Sequence, residues 1–155
     1  MEENTFVFQF FSADDRSMVL EGGPWVFGNH IVVLAEIKGD DAVSTLDFRW
    51  ANFWVHAHNM PLSSIHESLV QALGTQFGGL KEYKQTDSLG WSSFLRFRVA
   101  LDVTKPLLRG TLVKFYKIGT RWVYFQYEKL PLYCYKCGIL GHGEDDCILK
   151  DAATK

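Results

Sequence analysis

No stretch of this chain is long and apolar enough to cross a bilayer. Its longest apolar runs, such as "IVVLA" at 31–35, fall far short of the roughly 20 residues a spanning helix needs. The N-terminal "MEENTFVFQFF" has neither a basic start nor a small-residue cleavage site, so no secretory signal is expected. Both absences point to an intracellular chain, in the nucleus or cytoplasm and off the membrane, where thiols stay reduced. The marks of catalysis are missing too. There is no Ser/His/Asp signature, no P-loop, no Gly-rich dinucleotide turn and no carboxylate cluster suited to a catalytic metal. The chain is therefore expected not to be an enzyme and to take no small-molecule substrate. Cysteine is scarce. There are three, an odd number that leaves one over in any internal pairing, and all fall between 134 and 147.

What is present suits a globular domain. Hydrophobic residues make up 47% and charged residues 22%, and five Trp, six Tyr and twelve Phe can fill a core. Charge is uneven along the chain. Residues 94–136 carry Arg96, Arg98, Lys105, Arg109, Lys114, Lys117, Arg121, Lys129 and Lys136 against only Asp102 and Glu128, whereas residues 1–93 carry five Lys/Arg against twelve Asp/Glu. A basic segment in an otherwise acidic chain steers anionic partners. The alternative is that folding mixes these charges on one surface.

Hydrophobic periodicity lays out the elements. The aromatic "TFVFQFF" at 5–11 reads as a strand. Ser12 is an N-cap candidate for a short helix that ends at Gly22-Gly23. "PWVFGNH" makes a turn or short hairpin with Gly28-Asn29 at its tip, and "IVVLAEI" at 31–37 is a strand. The polar "KGDDAVSTLDFRW" is a linker between two halves. In "NFWVHAHNMPL" at 52–62, Phe53, Val55 and Ala57 share one face, and Trp54, His56 and His58 the other. A helix follows, with Ser64 and Glu67 as a capping box and Ile65, Leu69, Leu73 and Phe77 on its apolar side. "SSFLRFRVALDV" at 92–103 is a strand with Leu95, Phe97, Val99 and Leu101 inward and Arg96 and Arg98 outward. "TLVKFYK" at 111–117 and "RWVYFQYE" at 121–128 form a hairpin. Within it, Trp122 and Tyr124 face opposite to Val123, Phe125 and Tyr127. One set is core, and the other is free to serve as a base-stacking platform or to pack under a helix.

The expected fold class is α+β, with a mainly antiparallel sheet and helices on one face. A truncated β-α-β half (1–45) precedes a β-α-β-β-β half (46–128) in one domain, 1–128. The shortened first half is expected if the chain is a fragment of a longer protein. A small Cys/His module occupies 129–150 and a tail 151–155.

That module has the spacing Cys134-x2-Cys137-x4-His142-x4-Cys147. Three thiolates and one imidazole suit the tetrahedral preference of zinc, and four protein ligands leave no open position for water or substrate. The site is therefore read as one structural Zn²⁺. The segment is too small to bury a core, so metal has to fold it. Gly138 and Gly141 flank the bend between Cys137 and His142.

The spacing is that of the retroviral-type zinc knuckle. With "GGPWVFGNHIVVL", "FWVHAHNMPL", "FRVALDVTKPLLRG" and "VYFQYEKLPLYCYKCGILGH", nearly the whole chain resembles a plant family in which a domain of unknown function precedes such a knuckle. That family is similar to the nucleic-acid-binding first product of LINE-type retrotransposons. The resemblance implies binding of single-stranded RNA or DNA, zinc, no catalysis, and an upstream domain like the RNA-recognition fold. It implies that Tyr135 stacks on an unpaired base, with Ile139 or Leu140 packing the base from the other side. This knuckle departs from the basic pattern by carrying Glu144, Asp145 and Asp146 after its histidine. Phosphate contacts are therefore expected upstream, at Arg96, Arg98 and Lys114, and at Lys136. The competing reading is a protein–protein adaptor that self-associates through its aromatic sheet, with the knuckle as a folded clip.

Overall fold

The structure is a computed structural model that describes residues 4–85 and 94–149. The expected tail at 151–155 and the first two residues of the expected 92–103 strand lie outside them.

The centre is a five-stranded antiparallel sheet of β3 (Trp50–His58), β4 (Leu80–Gln85), β5 (Phe94–Asp102), β6 (Gly110–Phe115) and β7 (Gly119–Tyr127), in the order β4-β5-β3-β7-β6. Alternation decides which face is core. Phe53, Val55 and Ala57 of β3 and Leu95, Phe97 and Val99 of β5 are fully buried, while the intervening residues stay partly exposed. Helix α2 (Glu67–Gly74) turns Val70 and Leu73 into this core. Just beyond it, Phe77 packs on Phe125 and Phe97 at centroid distances of 5.3 and 5.8 Å. Burial of these aliphatic and aromatic side chains, about 1.5–3 kcal/mol for each large one, drives the assembly. The fold is α+β with mainly antiparallel sheets, as the patterning implies.

The run β3-α2-β4-β5 places β5 between β3 and β4, like the opening half of a split β-α-β arrangement. No second helix follows among the described residues. The connection 103–109 leads instead into the β6–β7 hairpin, and β7 pairs with the free edge of β3.

The N-terminal half differs more from expectation. Helix α1 (Ala13–Glu21) forms with Ser12 as its cap, the hydroxyl accepting from the Asp15 N–H. The β1–β2 hairpin (Trp25–Phe27 and His30–Val32) turns on Gly28 and Asn29, both at positive φ (56° and 64°), as a two-residue loop of this kind needs. Residues 5–11, however, are not a strand. They pair with no strand among the described residues, and Phe6, Phe8 and Phe11 are exposed. Only the first residues of 31–37 pair, because the hairpin ends at Val32. Propensity makes a strand only where a neighbour accepts its hydrogen bonds. An Arg16–Glu36 ion pair and a Trp25 Nε1–H bond to the Val19 carbonyl (2.8 Å) tie this half together.

Two further details differ. The α2 cap is His66, whose ring accepts from the Leu69 N–H at 3.3 Å, and Ser64 sits in a preceding 3₁₀ turn, Leu62–Ser64. The capping box does not form. Strand β4, "LKEYKQ", has no hydrophobic alternation and was not expected. It is a charged edge strand, held by backbone pairing to β5.

Candidate metal centre and nucleic-acid interface

The segment after β7 folds back on itself. The Cys134 N–H donates to the Ile139 carbonyl (3.1 Å), the Gly138 N–H to the Cys134 carbonyl (2.8 Å) and the Gly141 N–H to the Leu132 carbonyl (2.9 Å). Gly138 and Gly141 sit at φ 80° and 105°, where a side chain would be strained. These turns bring Cys134, Cys137, His142 and Cys147 together, with ligand atoms all within 4.8 Å of one another. His142 points Nε2 at Cys137 Sγ, 3.2 Å away. Thiolate bonds of about 2.3 Å from a tetrahedral ion would set ligand separations of about 3.5–4 Å, so the donor set and spacing fit zinc.

The backbone prepares the thiols. Burial pushes the Cys134 thiol up, but hydrogen bonds from the Cys137 and Lys136 N–H groups and from the Cys137 and Cys147 thiols together hold it down at about 7. Burial also raises the Cys137 thiol, and there it prevails. The Leu149 N–H reaches Cys147 Sγ at 3.4 Å. Such N–H···S contacts orient ligands and spread their charge.

This module does not hang from a linker. The Leu107 N–H donates to the Gly138 carbonyl at 2.8 Å. Arg109 donates from Nε to the Tyr133 hydroxyl (3.2 Å) and from its terminal nitrogen to the Tyr135 carbonyl (2.6 Å). Leu140 is 7% exposed and belongs to the same hydrophobic cluster as Leu107, Phe115 and Val123. It serves the core and is not presented to a base, whereas Ile139 is half-buried. Sequence patterning did not single out Arg109. Its partners lie 24 and 26 residues downstream, beyond the reach of any local signal.

Residues 101–149 match the family model described as a zinc knuckle. The knuckle match begins at the end of β5 and takes in the β6–β7 hairpin as well as the metal ligands. Residues 1–39 match the model of a domain of unknown function, DUF4283. No curated protein and no solved structure matches the chain. The cluster of Cys134, Cys137, His142 and Cys147 makes a single structural zinc site. No helix among the described residues is long and apolar enough to cross a membrane.

Tyr135, directly after the first ligand, is 67% exposed. Its ring stands edge-on to Tyr133 at a centroid distance of 5.0 Å. Lys136 is exposed beside it, and Glu144, Asp145 and Asp146 form an exposed 3₁₀ turn between His142 and Cys147.

The remaining expected contacts lie on the sheet face opposite α2. Lys114 is exposed there. Arg96 and Arg98 face the same way but are engaged within the protein. Arg96 makes a forked pair with Glu128 (2.6 and 3.1 Å) and lies over the Trp54 ring at 3.9 Å. Arg98 donates to the Gly22 carbonyl at 3.1 Å, fastening the end of α1 to this face. His56 also meets Glu128, at 2.6 Å, and His58 meets Gln126 at 3.1 Å, so these two histidines face different partners.

The hydrogen bonds from Arg96 hold the Glu128 carboxyl at about 2. A carboxyl depressed on folding stabilises above its unfolded pKa, and that contribution is lost as pH falls from about 4.5 toward 2. Glu128→Gln is expected to cost on the order of 1–3 kcal/mol at neutral pH. The wild-type advantage over this variant should shrink progressively as pH falls from about 4.5 toward 2, as read by urea unfolding of both proteins across that range. A constant difference would show that the pair contributes nothing through its charge.

Proposed function

We propose that this chain is a zinc-dependent single-stranded nucleic-acid-binding protein and not an enzyme. The observation that carries the reading is Tyr135: a large ring held out from a rigid metal-centred loop, with its backbone fixed by Arg109 and Lys136 beside it. Zinc knuckles commonly bind nucleic acids, and an exposed aromatic ring stacks on any unpaired base. The acidic turn at 144–146 makes the knuckle a weak phosphate binder, so Lys114 and the other cations of the β6–β7 region supply attraction. The resemblance to LINE-type first products, and to their plant relatives, supports the same reading and a place in the nucleus or cytoplasm.

Fluorescence anisotropy with a labelled oligouridylate tests it. Tyr135→Ala is expected to weaken binding roughly five- to a hundredfold, the worth of one stacked base, and chelation should abolish binding. Wild-type affinity in both cases would remove the basis of the proposal.

A second reading has its own observation. Phe6, Phe8, Phe11 and Phe27 are exposed in the N-terminal half, and residues 4–10 and 31–37 line a groove of about 800 Å³. The adaptor alternative, expected through the aromatic sheet, finds a second candidate surface in this groove. A concentration-dependent sedimentation coefficient that Phe8→Ser removes would favour it.

A further inference from the structure

We propose that the outward face of the β6–β7 hairpin is a second binding surface for single-stranded nucleic acid, with Tyr124 and Trp122 as stacking platforms and Lys114 as a phosphate contact. This rests on the nucleic-acid reading above and adds to it a site outside the knuckle.

Strand β7 has a core and uses it. Val123 is fully buried and Phe125 nearly so, yet Trp122 and Tyr124, on the other face, are 41% and 54% exposed. Leu112, paired across from Trp122, is exposed beside it. Large apolar side chains standing together in water mark an interaction surface.

The rings are set in order. Register puts Phe94, His58, Tyr124 and Gly110 in one row across β5, β3, β7 and β6. Phe94 and His58 are already in contact, at a centroid distance of 5.2 Å. At Gly110 a Cβ would meet Trp122 Cε2 and Cζ2 at 2.7 Å, so the missing side chain is what lets the indole lie against the β6 backbone. A ring fixed in this way loses little freedom when a base stacks on it.

Charge selects the occupant. Residues 103–127 contain Lys105, Arg109, Lys114, Lys117 and Arg121 and no Asp or Glu. Glu128, on the same face, is matched by Arg96. Lys114 stands in register with Thr120, one side-chain step along β6 from Leu112. Arg121 pairs with Val113 on the opposite face and Arg109 is bonded to the knuckle, so Lys114 is the strand cation on this face. Stacking rings beside it, in a segment without carboxylates, fit the alternating base and phosphate of a single strand.

The test uses the full zinc-loaded chain and an oligouridylate, with affinity read by anisotropy over a salt series. Trp122→Ala and Tyr124→Ala are each expected to weaken binding roughly five- to a hundredfold. Trp122→Phe should keep most of the affinity. Lys114→Gln should lower the salt slope by about 0.7, the value of one phosphate on a single strand. Circular dichroism and melting confirm folding, and Trp122→Phe keeps the test decisive should Trp122→Ala fail to fold. If Tyr135→Ala weakens binding but the hairpin variants bind like wild type, this second surface is overturned and the knuckle reading stands. If the wild type does not bind, both fall. If the hairpin variants abolish self-association without changing affinity for the oligonucleotide, the face is a protein contact and the inference fails.

Discussion

Stripping zinc from this protein is expected to lower the melting midpoint of the whole described fold by at least about 10 °C, at roughly 2–4 °C per kcal/mol for a chain of this size. A structural zinc site contributes on the order of 10 kcal/mol of folding free energy, comparable with the entire stability of a domain. Here that contribution is not confined to the metal loop. The Gly138 carbonyl receives the Leu107 N–H, and Arg109, one residue before β6, is bonded to both Tyr133 and Tyr135. Loss of the metal frees the Leu107 and Arg109 donors and withdraws Leu140 from the core. Amide exchange with and without chelator gives the readout. Protection of β6 and β7 should collapse together with that of the knuckle. Unchanged protection in the hairpin, with loss only at 132–147, would show two independent units.

Leu140→Ala is expected to destabilise the zinc-loaded protein by about 2–4 kcal/mol, as for other buried leucines. Ile139→Ala, one residue earlier and half-buried, should cost less than about 1 kcal/mol. Urea midpoints of the two variants provide the comparison. A small and equal effect at both positions would place Leu140 outside the core. A larger effect of Ile139→Ala on oligonucleotide affinity than on stability would keep Ile139 as a base contact.

How far the sequence could be read followed from the range of each signal. The alternation of Phe53, Val55 and Ala57, and of Leu95, Phe97 and Val99, is local and strong, and both strands appear with the expected faces. The metal ligands were legible because their chemistry is rare and their spacing compact. Other features depend on partners far along the chain. Arg96 is adjacent to Glu128 only because β3 pairs with β5 on one side and β7 on the other, and no window of sequence contains that neighbour. "LKEYKQ" lacks any periodicity, since an edge strand needs a pairing partner more than an apolar face. The aromatic run at 5–11 shows the converse: strong propensity and no pairing partner among the described residues. Leu140 looks like a knuckle residue in sequence. It becomes a core residue because the loop docks on Leu107.

If the chain binds a single strand as proposed, the Gly138–Leu107 and Arg109–Tyr135 bonds would set the direction of that strand as well as the stability of the fold. In proteins whose binding modules are joined by a flexible tether, the second contact is governed by the tether's length and by the local concentration it allows. This protein has no such tether between hairpin and knuckle, because residues 107–109 are bonded to both. On that reading, a polynucleotide stacked on Tyr135 would meet the rest of the molecule at one fixed bearing. Its polarity along the protein and the length of its footprint would then be properties of the fold.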